Sequence, residues 1–282
     1  TKEYSKFIIK SDSDWETFRS MVEKAQGNYW IDASLDADIT VSKSIGLDDW
    51  PYRGTFNGNG HTLTIDIQSS GYYHAALFPI VQDVTIKNLH VKGTVNGDMH
   101  SAGLIGGVKG DGHTITLDRV WVSVKVNSTS THAGGVIGHS NLANVAINDC
   151  RFDGEVNTNN TSGSYAGEII GWCNGGSWTM HRVYDHGRPK AEWMFFCNDY
   201  NQASGTWSSW GSNSQSSLTV TQHGWNNVNY YNKTDQDEVV KLMNGEKEGS
   251  WTIVDGQAVP VLTTTSYDIS ERSEERRVGK EC

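Results

Sequence analysis

Four ring-bearing residues recur at one equivalent place along the chain: Tyr73, His100, His132 and Tyr165 lie 27, 32 and 33 residues apart. If the segments carrying them stack, the rings stack too, and such a row has three uses. It can rigidify an edge. It can present ring faces to the C–H bonds of a sugar. Or the neighbouring imidazoles of His100 and His132 can hold a metal ion, although the repeat places no carboxylate to complete the ligand set. No metal and no cofactor is therefore assigned from the sequence.

Two further segments carry chemistry-bearing side chains. In YDHGRPKAEWMFF (184–196), Asp185, His186, Arg188, Lys190 and Glu192 crowd beside Trp193, and Glu168 stands where other repeats have Ala76, Gly103 and Gly135. Paired carboxylates about 5–9.5 Å apart could cleave a glycosidic bond, or a base could abstract a proton beside a uronate carboxyl. The plainer reading is a solvated exit loop, and no catalytic residue is assigned. Asp185, His186, Arg188 and Glu168 carry the alternative. The stretch 198–232 is rich in Ser, Asn and Gly and includes Trp207, Trp210, Trp225, Tyr230 and Tyr231. Its aromatic faces and amides suit sugar binding, but packing of a last coil is an equal use for them.

The elements that must position these residues follow from a repeat. AALFPI (75–80), AGLIGG (102–107), GGVIGH (134–139) and GEIIGW (167–172) form one family, with Leu77, Leu104, Val136 and Ile169 spaced by 27, 32 and 33. VTIKNLHVKGTV (84–95), ITLDRVWVSVKV (115–126), VAINDCRFDGEV (145–156) and WTMHRVYDHGRP (178–189) form a second, spaced by 31, 30 and 33 from Ile86 through Leu117 and Ile147 to Met180. Each unit holds a short glycine-bounded strand and a longer alternating one, with no helix-length segment between them. A right-handed parallel β-helix is the simplest architecture. Leu89, Val120, Cys150 and Val183 should then form one interior ladder, with Cys150 a buried small hydrophobe. GTFNGNGHTLTIDI (54–67) reads as a glycine turn launching the first full coil. Open solenoid ends need covers. The amphipathic segment 13–25, with Ser13 and Glu16 in capping-box spacing and Trp15, Phe18, Val22 and Ala25 on one face, is predicted to be a capping helix. A second is predicted over 235–243, stopped by Gly245.

Composition bounds the rest. Thirty glycines against four prolines suit a turn-rich β fold, and eleven tryptophans with eleven tyrosines suggest a binding surface. Residues 272–282 (RSEERRVGKEC) break from this composition and resemble a translated sequencing-library adapter, as on a truncated metagenomic contig. They carry four of the basic and three of the acidic side chains; without them 19 Lys and Arg face 30 Asp and Glu, a net charge of −11. So acidic a body argues against nucleic-acid partners, which need a basic face. Cys150, Cys173 and Cys197 cannot all pair and include no CxxC, so neither a disulfide framework nor a zinc site is supported. No apolar run is long enough to span a membrane.

GTFNGNGHTL followed by ALF, IKNLHVKGTV, AGLIG, INDCRFDGEV and AGEIIG resembles the GLUG-motif proteins, bacterial surface and secreted β-helices. The turn departs mildly from the family pattern at Asn57 and Leu63. WTIVDGQAVPVL (251–262) is similar to the short tail strand that closes such domains. The resemblance spans roughly 8–262 and is strongest over 54–171. It implies a right-handed coil, an extracellular setting and an adhesive role, and brings no catalytic residues with it.

The expected fold is thus all-β: a right-handed parallel β-helix with short capping helices at its N- and C-terminal ends. The cap is placed over 1–50, the repeats over 51–196, a loop-rich aromatic coil and cap over 197–263, and a non-native tail over 272–282. The expected function is a secreted or cell-surface module, part of a larger protein, that binds a polysaccharide or glycoprotein without catalysis. Trp193, Trp207, Trp210, Trp225, Tyr73, His100, His132 and Tyr165 are its candidate contacts. A β-helical polysaccharide lyase or glycoside hydrolase, or a plain structural spacer, are the alternatives.

Overall fold

A computed structural model describes residues 6–25, 30–69, 71, 73–130, 132–159, 166–167, 169–174, 176–185, 188–189, 205–208, 217–223 and 235–264. Within them the chain winds through about five turns of a parallel β-solenoid, with two short helices.

Three parallel sheets form its walls. The first stacks Phe7–Ile9, Ala33–Leu35, Tyr52–Asn57, 84–87, 114–118, 144–148, 176–181 and Ser217–His223. The second stacks Ile39–Val41, Thr62–Gln68, 89–97 and 120–128, and continues into Glu155–Thr158 and Arg188–Pro189. The third stacks 78–81, Ile105–Val108, Ile137–Asn141 and Ile170–Asn174. Both sequence repeats are thus structural registers. Ile86, Leu117, Ile147 and Met180 pair in order on the first sheet, and Phe78, Ile105, Ile137 and Ile170 on the third.

The long strand Phe78–Gly97 serves all three walls because it bends at two left-handed residues, Asp83 (φ 50°) and Asn88 (φ 51°). The second bend recurs in five successive coils, at Asn59, Asn88, Arg119, Asp149 and Arg182, all with φ between 51° and 56°. Asn and Asp tolerate this conformation better than arginine does. Arg119 and Arg182 hold it because the strands on either side are locked into their neighbours' ladders.

Leu89, Val120, Cys150 and Val183 all lie inside, none more than 7% exposed. Burial among apolar side chains pushes the Cys150 thiol well above its ordinary pKa, so it packs as a small hydrophobe and is no ready nucleophile. In the AGLIG-type segments both Leu77, Leu104, Val136, Ile169 and the residues that follow them face the core, since the chain is turning there.

Helix α1, Asp12–Ala25, plugs the N-terminal end of the core with Trp15, Phe18, Val22 and Ala25, the four positions its periodicity selects. Trp15 and Phe18 meet Phe56 edge-on and stacked, and Tyr52 and Phe78 complete the aromatic plug. The cap itself differs from the Ser13–Glu16 expectation. Ser11 Oγ accepts from Asp14 N at 3.2 Å, and Asp14 Oδ2 accepts from the Ser11 hydroxyl and from Lys10 N, both at 3.0 Å, so the cap sits on Ser11, two residues earlier. Glu16 is instead drawn to Arg19.

Helix α2, Gln236–Glu246, runs through Gly245 and ends at Lys247, with Asp235 as its N-cap. Gly245 does not stop it because nothing there demands a left-handed residue; the chain reverses at Gly249, where φ is 69°. The expected tail strand is a hairpin, Trp251–Val254 with Gln257–Pro260, turned by Asp255 and Gly256 with φ 50° and 74°. Two successive left-handed residues make the turn that matches strand twist. Helix and hairpin share a small core of Tyr184, Val239, Met243, Trp251 and Ala258 and lie along the side of the coils at Asp149, Arg151 and Tyr184.

Candidate functional site

Two constellations stand on the outside of the coils. The first grows from the ends of the second sheet's strands. Gln68, Asn96, Asn127 and Asn157 occupy one register position in four successive coils. Their amides hydrogen-bond up the stack: Asn157 Nδ2 donates to Asn127 Oδ1 (3.0 Å), Asn127 Nδ2 to Asn96 Oδ1 (2.7 Å), and Asn96 Nδ2 to Gln68 Oε1 (3.1 Å). An amide can make four hydrogen bonds; Asn96 and Asn127 each use one donor and one acceptor on the ladder, whereas Asn157 Nδ2 also donates to Glu155 Oε1 (2.9 Å) and Gln68 Nε2 to Asp66 Oδ1 (2.6 Å). Asn96, Asn127 and Asn157 line an open groove of about 470 Å³, together with Lys125, Thr129, Glu155 and Asn159. Glu155 pairs with Lys125 at 3.4 Å, so this carboxylate is balanced within the groove.

The second constellation covers the third sheet. In each coil the loop preceding that sheet folds back over the strand of its neighbour, and glycine makes this possible. A Cβ on Gly107 would lie 2.7 Å from the His74 Nε2, and one on Gly138 would lie 2.3 Å from the His100 carbonyl oxygen. The glycines repeated in AGLIGG and GGVIGH are thus the floor on which histidine loops rest.

On that floor four imidazoles and an indole pile together. His139 and Trp172 share a register position on adjacent strands and stack with ring centroids 4.3 Å apart and planes within 10°. His100 stacks on His139 at 4.5 Å, His74 lies 4.8 Å from His100, and His132 lies 5.0 Å from His100 on its other side. His100 Nδ1 and His74 Nε2 are 3.1 Å apart, one donating to the other according to tautomer. The Nε2 atoms of His100 and His139 are buried and have no hydrogen-bond partner among the described residues. Burial lowers the pKa of His100 to about 2, of His139 to about 3, and of His74 and His132 to about 4. Desolvation is the main cause, and repulsion among the rings adds to it for His100 and His139. At neutral pH all four are uncharged, with nitrogen lone pairs available as acceptors or ligands. One ligand atom from each of His74, His100 and His139 can be chosen so that all lie within 4.8 Å of one another.

The sequence-selected residues fall as follows. His100 and His132 are neighbours with their ring planes tilted by 34° instead of stacked, and His100 is only 8% exposed and offers no ring face to solvent. Tyr73, beside His74, is 68% exposed. Trp207 lies on a strand, Gly205–Ser208, paired antiparallel with Ser217–His223. Asp185 and Arg188 pair through their backbones with Phe152 and Glu155. Tyr165, Glu168, His186, Trp193, Trp210 and Trp225, and the side chains of Asp185, Arg188 and Trp207, lie outside the described residues. His74, His139 and Trp172 were missed because they stand one residue off the repeated ring position or within the strand itself. The signal that could have found them is the final residue of GGVIGH and GEIIGW, where bulky rings replace the Gly107 of AGLIGG.

No family model matches the chain, and no curated protein matches it. Among solved structures it is similar to a Bacteroides ovatus protein provisionally described as an immunoglobulin A1 protease, with a TM-score of 0.51 and 14% identity over 91% of this chain and 92% of that one. At that identity the likeness is one of fold.

Proposed function

We propose that this chain is a GLUG-type, extracellular, adhesin-like module that holds a polysaccharide or glycoprotein glycan along the amide ladder, without cleaving it. The observation that carries this reading is the amide ladder of Gln68, Asn96, Asn127 and Asn157 at coil spacing, three rungs of which, Asn96, Asn127 and Asn157, line an open groove. Coils repeat about every 4.8 Å, so the ladder amides recur along a line, and Asn96 and Asn127 keep hydrogen-bonding capacity beyond the ladder itself. A polymer of hydroxyls can use such a line; an apolar ligand cannot, and the acidic body disfavours polyanions. Lys125 and Glu155 add one charge of each sign, which suits neutral or zwitterionic sugars.

The test is retention of the full chain on immobilised polysaccharides and glycans, with product analysis after long incubation. Asn127→Ala and Asn157→Ala should each weaken retention about tenfold, the worth of one good hydrogen bond of roughly 1.4 kcal/mol, with no shortened product. Release of oligosaccharides that stops in Glu168→Gln or Asp185→Asn would replace this reading with the enzyme. Retention by no glycan would leave a spacer.

A further inference from the structure

We propose that His74, His100 and His139 form a binding site for a divalent transition-metal ion of the zinc class on the outer surface of the third sheet. The three residues come from three successive coils, His74 and His100 on the loops that precede 78–81 and Ile105–Val108, and His139 within Ile137–Asn141. Their ligand atoms converge within 4.8 Å, and one pair already stands at 3.1 Å. In a tetrahedral zinc site with Zn–N of about 2.0–2.1 Å, neighbouring nitrogens stand about 3.4 Å apart, a closure that rotation of the imidazoles supplies.

Two independent observations point to a ligand here. His100 is only 8% exposed, and while its Nδ1 faces His74, its Nε2 and that of His139 are buried with no hydrogen-bond partner among the described residues, although a buried polar atom without a partner is costly. The slot for His74 exists only because residue 107 lacks a Cβ. The donor set decides the class of ion. Three neutral imidazoles and no carboxylate among the converging atoms suit zinc, nickel, copper or cobalt, whereas calcium and magnesium require oxygen ligands. Three protein nitrogens leave a coordination position unfilled by these residues, which distinguishes the site from closed four-ligand structural zinc sites. Bound, the ion staples three coils together across their loops. This inference does not depend on the amide ladder or on any glycan.

The test uses the untagged full chain, stripped with chelator and titrated with Zn²⁺ by calorimetry and with Co²⁺ by visible absorption. We expect one ion per chain, Co²⁺ bands of nitrogen coordination, and a rise in melting temperature with Zn²⁺. His74→Gln and His139→Phe should each weaken binding more than about 100-fold, beyond what loss of an outer hydrogen-bond partner costs. His61→Gln, in another ion pair, should leave it unchanged. His139→Phe keeps a flat ring against Trp172, so a circular-dichroism melt in chelator matching the parent separates lost ligation from lost fold. Failure of the parent chain to bind one ion, or parent-like affinity in the His74→Gln/His139→Phe double variant, would overturn the site.

Discussion

Asp149 and Arg182 occupy the same left-handed corner in adjacent coils, and their side chains close on each other: Arg182 Nε donates to Asp149 Oδ1 at 2.6 Å and Nη2 to Oδ2 at 2.8 Å. The same carboxylate accepts from Trp251 Nε1 at 3.0 Å and lies 3.5 Å from Lys247 Nζ. One buried acid therefore joins two coils to the helix-and-hairpin unit on their flank. Arg151, one coil-face further on, ties the same unit down through Gln236 and the Ala258 carbonyl while stacking over Tyr184.

Removing that acid leaves Arg182 charged and largely buried without its two-pronged carboxylate partner. Asp149→Ala should cost about 3–5 kcal/mol, the range for breaking one partner of a buried pair. Asp149→Asn, which keeps two acceptor-donor contacts but no charge, should cost less. Urea unfolding followed by far-ultraviolet circular dichroism would measure both. A loss under 1 kcal/mol for the alanine variant would mean that the flank unit is not anchored through this residue.

The position of the first cap separates two serines only two residues apart. Ser11 Oγ satisfies an orphan N–H of helix α1, whereas Ser13 is exposed and its backbone carbonyl, not its hydroxyl, receives Thr17. Ser11→Ala should destabilise the protein by about 1 kcal/mol, and Ser13→Ala by much less. Equal losses would restore the cap to Ser13.

The coils were legible in the sequence because a solenoid writes its register as a repeat: Ile86, Leu117, Ile147 and Met180 are spaced as they are paired. The apolar face of α1 was legible for the same reason, a period that burial enforces. What stayed hidden depends on contacts between segments that share no register. The choice of Ser11 over Ser13 rests on one hydrogen bond, and neither serine breaks the pattern. The segment 251–262 reads as one tail strand through its family resemblance, although Asp255–Gly256 is a strong two-residue turn signal and the chain there is a hairpin. His74 and His139 sit at unlike places in their repeats, one in a loop and one in a strand. Only the fold-back of the loops over Gly107 and Gly138 brings them together.

That fold-back makes Gly138 a sharper test of the imidazole cluster than any histidine. A Cβ there would press to 2.3 Å from the His100 backbone oxygen, which cannot swing aside as a side chain could. Gly138→Ala should cost about 1–3 kcal/mol as overpacking and displace the His100 loop, altering the emission of Trp172 stacked beneath it. Gly245→Ala is the matched control: nothing lies within 4 Å of its added methyl, and it sits inside helix α2. That variant should be stabilised by roughly 0.5–1 kcal/mol.

Acid should weaken the fold earlier than its carboxylates alone would require. His74, His90, His100, His132 and His139 are all held below the ordinary histidine value, mainly by burial. From about pH 6.5 downward the unfolded chain takes up protons that the folded chain refuses, so stability is fully present above that pH and is lost as pH falls toward 4. Asp38 and Asp83 are lowered too, the first chiefly by a backbone hydrogen bond from Thr62, the second by hydrogen bonds that outweigh its desolvation, so their contribution is lost only in a lower window, below the ordinary carboxylate value. The melting temperature of chelator-treated protein should therefore drop between pH 7 and pH 4.5. His139→Phe, which keeps a ring between His100 and Trp172 but binds no proton, should flatten that drop. A melting temperature constant across this window would show that the imidazoles titrate freely, and hence that the cluster is open to water.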